Sequence, residues 1–385
     1  MASNRCVRMI VLVLLAAVAC AAFTGCGRGN ESVEVTKSDD VQPTDARAHP
    51  NPFATWAKVI DDGKHAVVVT GVDIAETLTY PVLMLDIETG ETSVLSKSAI
   101  TVAGVGVQRD RGRAALSGES GAPRKSGLTP GGLWTCGGSD GGLREVVAPA
   151  DCDILMDMRW SRGSNLLAAW IFASEDRERH LDWIIDQRMG QAESAPPEIH
   201  PSAVLVDIHT GSVKDLGLDG FPIGWSADGA VLYVNCGSVT AYDVGSGESE
   251  VVSRRQDIGR VVHLDALGKL VALTAVIAEG KPATSVEILN DEFETVDRFG
   301  VIWSLEEYEL SPDGAALAYR DGGNYYVMNL RQGTRNAIRD VKGDLGPSWV
   351  NDDVLLVGSS TQTLMTVTKD GIRERQYDIS RRRDE

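Results

Sequence analysis

Residues 224–229 read Gly-Trp-Ser-Ala-Asp-Gly, and the stretch has two readings with different consequences for the whole chain. It comes within one residue of G-x-S-x-G, the sharp elbow that exposes a nucleophilic serine in α/β-hydrolases. It can also be a tight turn between two strands. Self-similarity separates the two. Aligned with it are LSPDGAALAY (310–319), WSRGSNLLAA (160–169) and WVNDDVLLVG (349–358). Weaker copies are VIDDGKHAVVV (59–69), VQRDRGRAAL (107–116) and LDALGKLVAL (264–273). Each reads as a strand end, a turn rich in Asp and Gly, and an apolar strand.

A second signal recurs downstream in LDIETG (85–90), VDIHTG (206–211), YDVGSG (242–247) and MNLRQG (328–333). There an Asp or Asn closes an Asx-type turn and a Gly supplies positive φ. The repeating unit is therefore strand, D-G turn, strand, variable loop, strand, D-x-x-x-G turn, strand. Seven copies fit between residues 53 and 380. The expected class is all-β, a β-propeller of seven four-stranded blades, with six or eight open because the second and fifth copies are degenerate. In this register Ser226 is equivalent to Ser311 and Ser161, a turn residue and not a nucleophile. Trp56, Trp160, Trp225 and Trp349 fall on the first strands, where an aromatic packs between blades or lines a sugar-binding face.

The W-S-x-D-G-x-x-L pattern at 225–232, with Tyr233 after it, and its variant LSPDGAALAY resemble the repeats of TolB-like and WD-type propellers. The WD dipeptide and G-H signature are missing, so the TolB-like branch fits better. The resemblance implies an extracytoplasmic propeller that binds proteins, glycans or small ligands on its loop faces, or the propeller half of a prolyl-peptidase. The hydrolase domain of the latter, roughly 200 further residues, is not expected after the seventh repeat.

The chain carries a formal charge of −18 over 385 residues. Such a surface repels phosphate backbones and disfavours nucleic-acid partners. At the N-terminus Arg5 and Arg8 precede the apolar run 9–23, which is too short for a spanning helix and reads as a signal peptide. Thr24-Gly25-Cys26 then resembles a bacterial lipobox, with Cys26 as the lipidated residue; Cys20 is a poorer site. The expected division is a signal peptide at 1–25, a polar tether at 26–52, the propeller at 53–380 and a charged tail at 381–385. It implies a lipid-anchored protein on the extracytoplasmic side of a cell membrane.

No linear motif carries chemistry. The six histidines read as scattered through tether, turns and loops, H-E-x-x-H and Ca-loop patterns are absent, and no cofactor is expected. A channel calcium like that of propeller lactonases has no linear signature and stays open. Cys136 and Cys152 can pair across neighbouring strands, or stand as buried thiols.

Loop length is the informative variable. From the D-G turn to the next D-x-x-x-G turn there are 14 residues in the fourth repeat but 43 in the third. The third-repeat insertion, 173–201, predicts a short helix capped at Ser174 and bearing Arg177, His180 and Trp183. The second-repeat loop carries Arg124 and Lys125, an isolated basic spot. These five residues are the expected contacts for a protein or envelope polymer. The functional expectation is a non-catalytic scaffold, not an enzyme; a propeller enzyme with a central-channel site is the alternative.

Overall fold

The computed structural model describes residues 53–61, 63–71, 82–96, 100–120, 131–137, 142–152, 155–172, 176, 179, 200–264, 269–303, 305–343, 345–360 and 363–379. Among them are twenty-eight strands, β1–β28 in chain order, forming seven antiparallel sheets of four. The blades span 53–96, 100–152, 156–219, 221–253, 258–302, 305–342 and 348–378. The seven-bladed propeller stands.

Burial falls outward within each blade. In blade 4 the inner strand β13 (Phe221–Trp225) is almost wholly buried, whereas the outer strand β16 (Ser249–Ser253) is exposed along most of its length. Both faces of each inner strand pair are covered by neighbouring blades, which explains continuous apolar runs where alternation would mark a one-sided sheet. On β2 (His65–Gly71), Ala66 and Val68 pack against blade 7 while Val67 and Val69 pack against blade 2. Seven apolar clusters among the described residues lie one at each blade–blade junction, including the junction of blade 7 with blade 1.

No strand is exchanged to close the ring, since blades 1 and 7 are each complete from their own sequence. Side chains stitch that junction instead. The Tyr377 hydroxyl donates to the Ile87 carbonyl at 2.9 Å, and the Val59 N–H donates to Ser348 Oγ at 2.9 Å.

The two turn signals hold. Ser226 Oγ donates to Asp228 Oδ1 at 2.6 Å and accepts the Val231 N–H at 2.9 Å. Ser311 repeats the pattern with Asp313 and Ala316 at the same distances. In the D-x-x-x-G turns, Asp86, Asp207, Asp243 and Asn329 accept N–H groups from the following residues. The closing Gly90, Gly211, Gly247 and Gly333 all have φ between 66° and 80°, where a side chain would be strained.

Candidate functional site

The inner strands run with their C-terminal ends toward the a–b turns. They are β1 (Phe53–Val59), β5 (Ile100–Gln108), β9 (Met156–Trp160), β13, β17 (Ile258–Leu264), β21 (Leu305–Leu310) and β25 (Ser348–Trp349). A cavity of about 390 Å³ sits on the axis against these ends, small but within the usual range for a small-molecule site. Its wall includes Lys58, Arg109, Arg159, Trp160, Arg162, Arg260, His263, Tyr308 and Glu309. Five cations face one carboxylate, in a chain whose overall charge is −18. The sign of the charge inverts at the channel.

The sequence places these groups through the register of the repeat. Lys58, Arg159 and Glu309 occupy one column, as shown by their pairing with Val67, Ala168 and Ala318 on the second strands. In blade 4 the same column holds Gly224, opposite Tyr233. A Cβ on Gly224 would lie 2.1 Å from the Val261 carbonyl oxygen, so the bare backbone lets β13 approach β17. All described inner strands except β25 carry a pairing irregularity, and such bulges re-aim side chains. In β9 the irregular stretch contains Asp157 at φ 51°, a left-handed conformation for a non-glycine residue. Its carboxylate meets the Arg159 guanidinium at 2.5 Å and fixes the direction of that side chain.

Two charged groups of sites can be distinguished. At the first, Glu309 binds Arg109 at 2.6 Å and Lys58 at 3.4 Å, and accepts from Ser348 Oγ and the Trp349 N–H. Burial alone would raise its pKa, but Arg109 and Lys58 hold it below the ordinary glutamate value. Lys58 also donates to the Pro347 carbonyl and Arg109 to that of Trp349. This group is internally satisfied.

The second group is not. Arg159, Trp160 and Arg260 are half-buried, and the buried Nε–H of each arginine lacks a hydrogen-bond partner, as does the Trp160 indole N–H. Burial pushes the Arg159 pKa down, and the like charge of Arg260 adds to the shift, while Asp157 opposes it. Arg260 stacks over Tyr308, with its guanidinium carbon 4.7 Å from the ring centroid. Its pKa is raised: burial works against the charge, but Tyr308 and Asp157 outweigh it.

No family model matches the chain. No curated protein matches it either. Among solved structures, an oligogalacturonate lyase in complex with manganese is similar at a TM-score of 0.53 and 14% identity. The match covers 80% of this chain and 85% of that one. An oligogalacturonate lyase from Vibrio parahaemolyticus is similar at a TM-score of 0.52 and 12% identity, over 87% and 91% of the two chains. Both are enzymes. TolB from Acinetobacter baumannii is similar at a TM-score of 0.44 and 15% identity, over 82% and 81% of the two chains. At these identities the likeness is one of fold.

Two expectations are corrected by this finding. The non-catalytic scaffold, and with it the expectation that the chain is no enzyme, does not stand. Propellers matching this chain over most of both lengths are enzymes, and the structure supplies an axial cavity with charged side chains in its wall. His263 is a third correction: it lies on β17 against the cavity, not in a loop.

The expected partner contacts Arg124, Lys125, Arg177, His180 and Trp183, and the expected lipidation site Cys26, lie outside the described residues. In the third-blade insertion Asp176 and Arg179 are helical, and buried Asp176 accepts the His200 N–H at 3.0 Å. Cys136 is a free, buried thiol whose pKa burial pushes up to about 12. The strand register sets Cys152 opposite Gly131, so the bridge between Cys136 and Cys152 is not made. Trp225 and Trp349 are buried and donate to the Arg159 and Glu309 carbonyls of the preceding blades, each at 3.0 Å.

No group of three or more His, Cys, Asp or Glu among the described residues is placed to hold a metal. The cavity offers His263 and Glu309, and Glu309 is committed to two cations. These residues do not fit a metal centre.

Proposed function

We propose that this chain is a propeller enzyme whose active site is the axial cavity and whose substrate is a short acidic saccharide. The observation that carries the reading is the inverted charge of the channel beside two proton-transfer side chains, His263 and Tyr308. An oligouronide suits such a wall, and the similar propellers that act on oligogalacturonate suggest that class first.

The chemistry that fits is β-elimination. The hydrogen on the carbon next to the uronate carboxylate is acidic only when the carboxylate charge is neutralised, which Arg159 and Arg260 do. A base takes that proton, and the electron pair forms a carbon–carbon double bond. The glycosidic C–O bond breaks, and the departing oxygen receives a proton from an acid. His263 and Tyr308 are the base–acid pair; no water, oxidant or reductant is consumed. Tyr308 is held in place by the Arg260 guanidinium stacked over its ring, which keeps its hydroxyl beside the carboxylate-binding arginines.

The test is incubation of the full chain with oligogalacturonides, following the ultraviolet absorbance of the unsaturated product. Wild type is expected to turn over. His263→Ala and Tyr308→Phe should each lose about 10²–10⁴-fold in kcat while keeping the wild-type melting temperature. No unsaturated product from any of a panel of acidic oligosaccharides would sink the proposal.

A further inference from the structure

We infer that Arg159, Arg260 and Trp160 form a subsite for a single carboxylate, and that Glu309 sets this valency by engaging Lys58 and Arg109 from within. The inference rests on the channel-enzyme reading for its substrate class, but stands on separate observations.

The two cationic groups differ in satisfaction and not in charge. Lys58 and Arg109 share Glu309, and their remaining hydrogen bonds go to the backbone carbonyls of Pro347 and Trp349. Asp157 is the carboxylate paired directly with this group, through Arg159, while Glu309 acts on Arg260 through its charge alone, as the smallest of the causes that set its pKa. Two positive charges against one negative leave one charge to be met. Three buried donors, two guanidinium Nε–H groups and one indole N–H, have no acceptor. Buried donors are ordinarily satisfied, and buried like charges are costly without a counter-ion. One planar carboxylate supplies one negative charge and two oxygens with four acceptor positions, which matches both deficits. A dicarboxylate brings a charge that finds Lys58 and Arg109 already occupied.

The Asp157 backbone supports the same assignment. A left-handed residue in the strand turns Asp157 onto Arg159, so the guanidinium is held before any ligand arrives. Pre-orientation of this kind lowers the entropic cost of binding.

Titration calorimetry on the full chain at low ionic strength tests the inference, with galacturonate, galactose, galactarate and inorganic sulfate as probes. One galacturonate is expected per chain, binding at least 100-fold tighter than neutral galactose and at least 10-fold tighter than dianionic galactarate or sulfate. Arg159→Met and Arg260→Met should each weaken galacturonate at least 10-fold, whereas the surface change Lys369→Met should leave it unaltered. Glu309→Gln frees Lys58 and Arg109, and should move the galacturonate-to-galactarate preference at least 10-fold toward galactarate. Should that variant fail to fold, the wild-type preference for the monoanion is itself the decisive reading. Equal affinity for galactose, a preference for galactarate or sulfate, or unchanged binding in both arginine variants overturns the inference. Galacturonate binding without turnover of any oligouronide would sink the enzyme reading and leave the subsite standing. Turnover of an oligouronide with no measurable binding of free galacturonate would do the reverse.

Discussion

Ser226 shows how a residue that looks chemical can be wholly used by a turn. Its hydroxyl spends its proton on Asp228 and its lone pair on the Val231 N–H, and no base stands in that pattern. The Ser226 hydroxyl, more than any other contact, draws the Asp228 pKa below the ordinary aspartate value. Ser226→Ala and Ser311→Ala should therefore behave alike, each lowering stability by about 1 kcal/mol through lost turn bonds. Urea unfolding of the two variants checks this. A loss confined to one of them would show that the repeat does not make the two serines equivalent. This much was legible in the sequence, because GWSADG, LSPDGA and WSRGSN share a spacing that a catalytic serine has no reason to repeat. The partnerless donors on Arg159 and Arg260 were not legible, since their partners or lack of them depend on which blades face each other across the channel.

Among elements, the inner strands were easier to find than to register. The turn pattern located all seven, and the spacing between turns put the extra residues between second and third strands, as in the span from β10 (Leu166–Phe172) to β11 (Pro201–Asp207). In the fifth repeat the alignment put Leu264 in the tryptophan column. The structure pairs Leu264 with Lys269 and His263 with Leu270, which puts His263 there instead. A slip of one residue exchanges the two faces of a strand, and here it hid the channel histidine. The column before the tryptophans, with Lys58, Arg159 and Glu309, was present in the alignment all along; its meaning needed the ring. Gly224 belongs to the same column and was read only as part of a turn. Gly224→Ala would drive a Cβ into the Val261 backbone, which cannot move aside as a side-chain tip can. A loss of about 3 kcal/mol is expected. Gly245→Ala is the control, because its Cβ would meet only the Asp243 side chain at 3.4 Å and should be nearly neutral. Thermal unfolding distinguishes them, and similar melting temperatures for the two variants would refute the close-approach argument.

At the scale of the whole molecule, closure of the ring and formation of the site are the same event. Without an exchanged strand, the junction of blades 7 and 1 depends on side chains, and Glu309 of blade 6 gathers Lys58 of blade 1, Arg109 beside blade 2, and Ser348 and Trp349 of blade 7. One carboxylate thereby holds four of the seven blades around the channel mouth. Its pKa is held below the ordinary glutamate value against the pull of burial, so its charged form is favoured in the folded state. The stability this supplies is complete above the ordinary glutamate pKa and is lost as the pH falls through the lowered folded value. Glu309→Gln keeps the shape but leaves Lys58 and Arg109 uncompensated, at a cost of about 3 kcal/mol at neutral pH. Because every other titrating group is shared by the two proteins, the difference between their stabilities isolates Glu309. That difference should be largest at pH 7 and shrink steadily as calorimetric scans are taken below about pH 4. A difference that stays constant with acidification would mean that Glu309 holds the ring through its shape and hydrogen bonds alone, and that its charge does not fasten the channel.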